Sequence, residues 1–207
     1  MHEKNIILAG RPTDDAKNVM IMLHGRGADA QSMISLKNEL QIADFAIWAP
    51  QATRRTWYPH SFLSPVKKNE PWLSSALELL GQVVADLNSM GFDNGQIYFA
   101  GFSQGACLTL EYTARHPKKY GGIIAFTGGL IGDHIRPELY LGDFMQTPLF
   151  LGTSDPDSHV PVERAKASAA IFKALNAKVH FQVYPHMGHI INREEIKMVN
   201  SIFFSDF

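Results

Sequence analysis

Residues 96–108 read Gln96-Ile97-Tyr98-Phe99-Ala100-Gly101-Phe102-Ser103-Gln104-Gly105-Ala106-Cys107-Leu108. An apolar run ends at a glycine, a serine follows in the pattern G-x-S-x-G, and helix-forming residues continue to Arg115. A serine that must expose its hydroxyl for attack sits on a very tight strand-to-helix turn with strained backbone angles. Glycines two residues to either side let strand and helix approach without Cβ clashes. The helix start also favours nearby negative charge. The stretch therefore predicts a strand, an elbow and a helix, with Ser103 as candidate nucleophile.

Working outward, apolar runs of the same kind recur at 19–23, 45–49, 122–126, 148–151 and 179–184. Several are apolar throughout, as strands covered on both faces of a parallel sheet are. Val179 to Tyr184 alternates better, which suits an edge strand. Between the runs lie helical patterns. Leu73, Leu77, Leu80, Val84 and Leu87 recur in steps of three and four behind Pro71. Val160 to Leu175 is rich in alanine, and Asn192 with an acidic first turn leads into Ile196 to Phe204. Strand–helix alternation predicts an α/β fold, a mostly parallel central sheet with helices on both faces. Chemistry is then expected in the loops at the C-terminal ends of the strands.

The chain has 207 residues, a length expected to form one domain over 1–207. Nineteen basic and twenty acidic side chains leave a formal charge of −1, giving no basic field for nucleic acid or an anionic membrane. Cys107 is the only cysteine, which excludes an internal disulfide and an all-cysteine metal site. The apolar run before Ala9 is too short for a secretory signal, and no stretch approaches the ~20 apolar residues of a membrane span. A cytoplasmic protein without membrane insertion is the expectation. His186 and His189 lack a third ligand at helical spacing, so neither a metal nor another cofactor is expected. No nucleotide-binding glycine motif occurs.

A serine nucleophile needs a base and a group that orients the base. In elbow enzymes these follow the serine as an acid and then a histidine. Asp155 follows the run 148–151, and His189 follows the run 179–184. Asp157 competes with Asp155 but, with Ser158, reads as the cap of the next helix. His186 competes with His189, which Gly188 frees the loop to present. The backbone N–H of Gln104 is one candidate oxyanion donor, and the N–H of Arg26, in the glycine-bearing loop 24–27, is the other. Trp57, Tyr58 and Phe62, in a proline-broken segment, are candidate pocket residues. Exposed aromatics there would equally serve a second copy of the chain in a homodimer. Cys107, one helical turn beyond Ser103, reads as a buried hydrophobe.

Together, Leu23-His24-Gly25-Arg26-Gly27, Ala49-Pro50-Gln51, Trp57-Tyr58, Gly101-Phe102-Ser103-Gln104-Gly105, Asp155-Pro156 ahead of Val160-Pro161, and Gly188-His189 resemble the serine hydrolase family of carboxylesterases, lysophospholipases and acyl-protein thioesterases. They span most of the chain in the family's order. The resemblance implies an α/β-hydrolase without a large lid, a Ser103–Asp155–His189 triad, and oxyanion donors at Arg26 and Gln104. It also implies a small-molecule ester or thioester as substrate. The acid loop, Asp155 to Pro161, is longer than the family's usual form. Arg26 stands where eukaryotic thioesterases more often carry leucine, which points to a bacterial esterase-like branch. A hydrolase-fold binder without catalysis, or a peptidase, would share the same fold.

Overall fold

The computed structural model describes residues 1–205. Seven strands form one sheet: β1 (Ile6–Gly10), β2 (Asn18–Leu23), β3 (Phe45–Pro50), β4 (Ile97–Phe102), β5 (Gly122–Phe126), β6 (Pro148–Asp155) and β7 (Lys178–Pro185). Their spatial order is β1-β3-β2-β4-β5-β6-β7. Every pairing is parallel except β1 with β3. The helices are α1 (Ala30–Ile34), α2 (Val66–Asn69), α3 (Trp72–Ser89), α4 (Gln104–Arg115), α5 (Val162–Ala174) and α6 (Arg193–Phe203). This is the α/β-hydrolase arrangement, with no large lid among the described residues. None of the described helices is long and apolar enough to cross a membrane.

Strand β2 shows why the central runs are apolar throughout. Val19, Ile21 and Leu23 enter the core shared with α3, α4 and α5, whereas Met20 and Met22 enter the core shared with α1 and α6. Successive side chains of a strand point to opposite faces, so a strand packed on both sides must be apolar at every position. Helix α4 lies at the centre, and its residues 104–114 are buried all round. It buries the Glu111 carboxylate as well, which accepts hydrogen bonds from Ile131 N–H, the Tyr140 hydroxyl and Arg115.

One strand escapes the sequence pattern. β1 has a short apolar run, and Leu8 is largely exposed. Its place is set by backbone pairing with β3, from Ile6 opposite Pro50 to Gly10 opposite Ala46, rather than by a buried face. Strand β6 also runs further than its apolar part, pairing with β7 out to Asp155 opposite Pro185.

At the start of α6, the Asn192 side chain accepts from Glu195 N–H, and the Glu195 carboxylate accepts from Asn192 N–H. This capping box satisfies two donors that a helix start leaves open. Glu195 is fully buried, and its Oε1 has no hydrogen-bond partner among the described residues. Burial raises its carboxyl pKa from 4.5 to about 7, against the opposing effect of the Asn192 N–H. Because the folded-state value is the raised one, folding takes up a proton. The associated stability is intact below the unfolded pKa and is lost as pH rises through about 7. A Glu195→Gln variant, measured by chemical denaturation, should match the wild type near pH 5 and exceed it by up to roughly 3 kcal/mol near pH 8.5. An equal loss of stability with pH in both proteins would contradict this.

Candidate active site

Ser103 sits between the end of β4 and the first residue of α4, with φ 53° and ψ −116°. For a non-glycine residue such angles cost on the order of 1–3 kcal/mol and persist only where the surroundings impose them. Here the imposition is steric. A Cβ on Gly101 would lie 2.5 Å from the Gly105 carbonyl oxygen, and one on Gly105 would lie 2.1 Å from that of Leu23. Those two glycines let α4 begin directly against the ends of β4 and β2. The Ser103 N–H donates to the Phe126 carbonyl, and Cys107 N–H donates to the Ser103 carbonyl, fixing both sides of the elbow.

The Ser103 hydroxyl donates to His189 Nε2 at 2.7 Å. His189 Nδ1, carrying the proton, donates to Asp157 Oδ2 at 2.9 Å. The carboxylate that meets His189 is therefore Asp157 and not Asp155. Asp155 is still the last residue of β6, paired opposite Pro185, and it is exposed. The chain must pass the strand end and turn back before a carboxylate faces His189. The cap reading of Asp157 describes its other oxygen, since Oδ1 accepts from the N–H groups of His159 and Val160. Helix α5 itself starts behind Pro161 without a side-chain cap. Burial pushes the Asp157 carboxyl up. Hydrogen bonds from His189, Val160 and His159 outweigh that, and the carboxyl is held below its usual range. His186 is exposed, at φ 55°, and its N–H donates to the Asp155 carbonyl.

The N–H groups of Arg26 and Gln104 carry no hydrogen bond among the described residues. The loop that bears Arg26 packs against the elbow, where a Cβ on Gly25 would lie 3.3 Å from Phe102 Cδ1 and 3.5 Å from the Ser103 Cβ. Beneath it His24 is fully buried, donating from Nδ1 to the Gly25 carbonyl and accepting the Ala52 N–H at Nε2. Burial lowers its pKa, so the neutral ring holds this loop.

A cavity of about 530 Å³ opens beside Ser103 and His189. Tyr58, Phe62, Phe102, Cys107 and Val160 give it apolar walls, and Arg26, His60 and His159 stand around it. Tyr58 and Phe62 thus border the cavity, but Trp57 does not. The Trp57 indole is fully buried behind the wall, its ring tilted 35° to that of His24 with centroids 5.1 Å apart, and its N–H donates to the His24 carbonyl. All three aromatics are buried, so none of them offers an exposed surface to a second copy. His159 is exposed and sets its ring edge-on to His189 at 4.7 Å. Burial drives the Cys107 thiol up to about 12, consistent with a packed side chain rather than a nucleophile.

A sequence profile of the phospholipase/carboxylesterase family matches residues 5–203. The chain is similar to a phospholipase/carboxylesterase from Dyadobacter fermentans, with 53% identity over 99% of this chain and 98% of that one and a TM-score of 0.97. A probable carboxylesterase of Arabidopsis thaliana is 27% identical over 65% of this chain, which spans about half (51%) of that relative's length. An acyl-protein thioesterase of Kluyveromyces lactis is 24% identical over 93% of each chain. By the extent of the profile match and the likeness of the whole fold, the chain belongs to the phospholipase/carboxylesterase family of ester-hydrolysing enzymes.

Proposed function

We propose that the chain cleaves carboxylic esters through an acyl-enzyme on Ser103, with His189 as general base and Asp157 as its orienting carboxylate. The observation that carries this reading is the continuous hydrogen-bond line from the Ser103 hydroxyl through His189 to buried Asp157, at 2.7 and 2.9 Å. Attack on the acyl carbonyl transfers the serine proton to Nε2. Asp157 holds the ring in the required tautomer and stabilises the imidazolium that forms. The oxyanion falls between the N–H groups of Gln104 and Arg26, which are open to accept that role. His189 then returns its proton to the leaving alcohol, and water enters by the same steps to release the acid. A thiol leaves a thioester by the same route. The cavity walls formed by Tyr58 and Phe62 take the acyl group. A small-molecule ester processed in the cytoplasm is the setting that fits a chain with one unpaired cysteine.

Hydrolysis of a p-nitrophenyl ester series from acetate to dodecanoate tests this directly. The wild type should turn over the shorter members and Ser103→Ala should lose nearly all activity, while hydrolysis that survives in Ser103→Ala would exclude the serine.

The choice of carboxylate has its own test. Asp157→Asn removes the charge that holds the imidazole, so kcat should drop by about a thousandfold or more. Asp155→Asn, changing an exposed strand-end side chain, should stay within about twofold. The reverse ranking would return the role to Asp155.

A further inference from the structure

The two residues whose N–H groups are assigned to the oxyanion also send their side chains into a single short segment, residues 56–60. Gln104 Oε1 accepts the Trp57 N–H at 2.9 Å and the Thr56 hydroxyl at 3.2 Å, and its Nε2 donates to the Tyr58 carbonyl at 2.8 Å. Arg26 donates from Nη1 to the Pro59 carbonyl at 2.7 Å and from Nη2 to the His60 carbonyl at 2.6 Å. Its guanidinium also lies 5.9 Å from the Tyr58 ring centre. The next residue joins in, as Gly27 N–H donates to the Arg55 carbonyl at 2.7 Å. Tyr58, Pro59 and His60 in turn line the cavity beside Ser103.

We propose that Arg26 and Gln104 are positioning residues whose side chains couple the cavity wall to the oxyanion donors, so that acyl-group selection is expressed in kcat. The inference rests on the serine-esterase reading above. Its physical basis is that a hydrogen bond to a developing oxyanion is made in the transition state and is sensitive to displacements of a fraction of an ångström. An acyl group that fits the wall leaves residues 56–60 in place, and with them the backbones of Arg26 and Gln104. A group that pushes the wall drags on both side chains and moves the donors. The fork of Arg26 grips two successive carbonyls, a geometry that a lysine cannot reproduce. Gln104 is buried and tied to three consecutive residues, Thr56 to Tyr58, the last of which lines the cavity, so its side chain has little freedom to absorb such a shift.

The test measures kcat and KM across esters from acetate to octanoate for the wild type, Gln104→Ala, Arg26→Ala, Arg26→Lys and the double alanine variant. Binding of an alkyl boronic acid, which places a tetrahedral oxyanion on Ser103, is measured beside it. Each alanine variant should lose about tenfold or more in kcat, with KM within about threefold, and boronate affinity should fall in parallel. Discrimination between chain lengths in kcat should flatten. Arg26→Lys should behave like Arg26→Ala. The double variant should lose less than the product of the two single losses, because both side chains act through one segment. Unchanged kcat with lowered thermal stability, or a rise in KM alone, would overturn the coupling. A fluorophosphonate separates the two levels of failure. Wild-type protein that neither hydrolyses esters nor labels at Ser103 overturns the serine-esterase reading, whereas labelled protein with kinetically silent variants overturns the coupling alone. Should Gln104→Ala not fold, the Arg26 variants, which alter an exposed side chain, decide the question.

Discussion

Everything at the site depends on the close approach of two backbones at Gly105. The first turn of α4 lies so near the end of β2 that any Cβ there would overlap the Leu23 carbonyl. That contact brings together pieces far apart in sequence. It sets the elbow serine beside the 24–27 loop, where the N–H groups of Arg26 and Gln104 carry no hydrogen bond among the described residues, and Ser103 itself is held at φ 53° and ψ −116°. Its neighbour Gly101 allows the same closeness on the β4 side. The parallel sheet supplies the rest. β6 and β7 end at the same edge as β4, so the loops after them deliver Asp157 and His189 to the serine.

Much of this was legible because a doubly covered strand writes itself as an unbroken apolar run. The central strands carry such runs, and the strand–helix alternation points to their mostly parallel pairing. β1 left no comparable trace. It is a half-exposed edge whose position is set by hydrogen bonding to β3, and hydrogen bonds between backbones have no side-chain signature. The tight turn at Ser103 and the approach of His189 to it were expected from glycine and serine at fixed spacing, which serve a local geometric need, and the structure brings Ser103 and His189 within 2.7 Å. Asp155 was expected to face His189, but Asp157 does so instead, for a physical reason. The apolar part of β6 stops before the strand does, since Thr153, Ser154 and Asp155 continue the pairing with β7. Counting from the last apolar residue therefore places the loop too early, and the carboxylate two residues short of the histidine.

The wall of the cavity was half legible. An aromatic cluster near a nucleophile suggests a pocket, and Tyr58 and Phe62 do border one. Trp57 instead fills the space behind, where its indole N–H has a carbonyl to reach. Polar aromatics are buried where their one donor finds a partner, which composition alone does not reveal. Nor does any pattern foretell that Arg26 and Gln104 would spend their side chains on the carbonyls and N–H groups of residues 56–60. Those contacts join loops after β2 and β3 to the start of α4, and they exist only once the sheet has formed.

The central claim is covalent catalysis at Ser103, and its most direct measurement is acid-quench mass spectrometry of the protein during turnover of a slowly hydrolysed ester. An intact-mass increment equal to the acyl group, mapped to the peptide containing Ser103 and decaying as product appears, is the predicted result. Turnover with no acyl adduct on that peptide at any time, or an adduct on another residue, would contradict it.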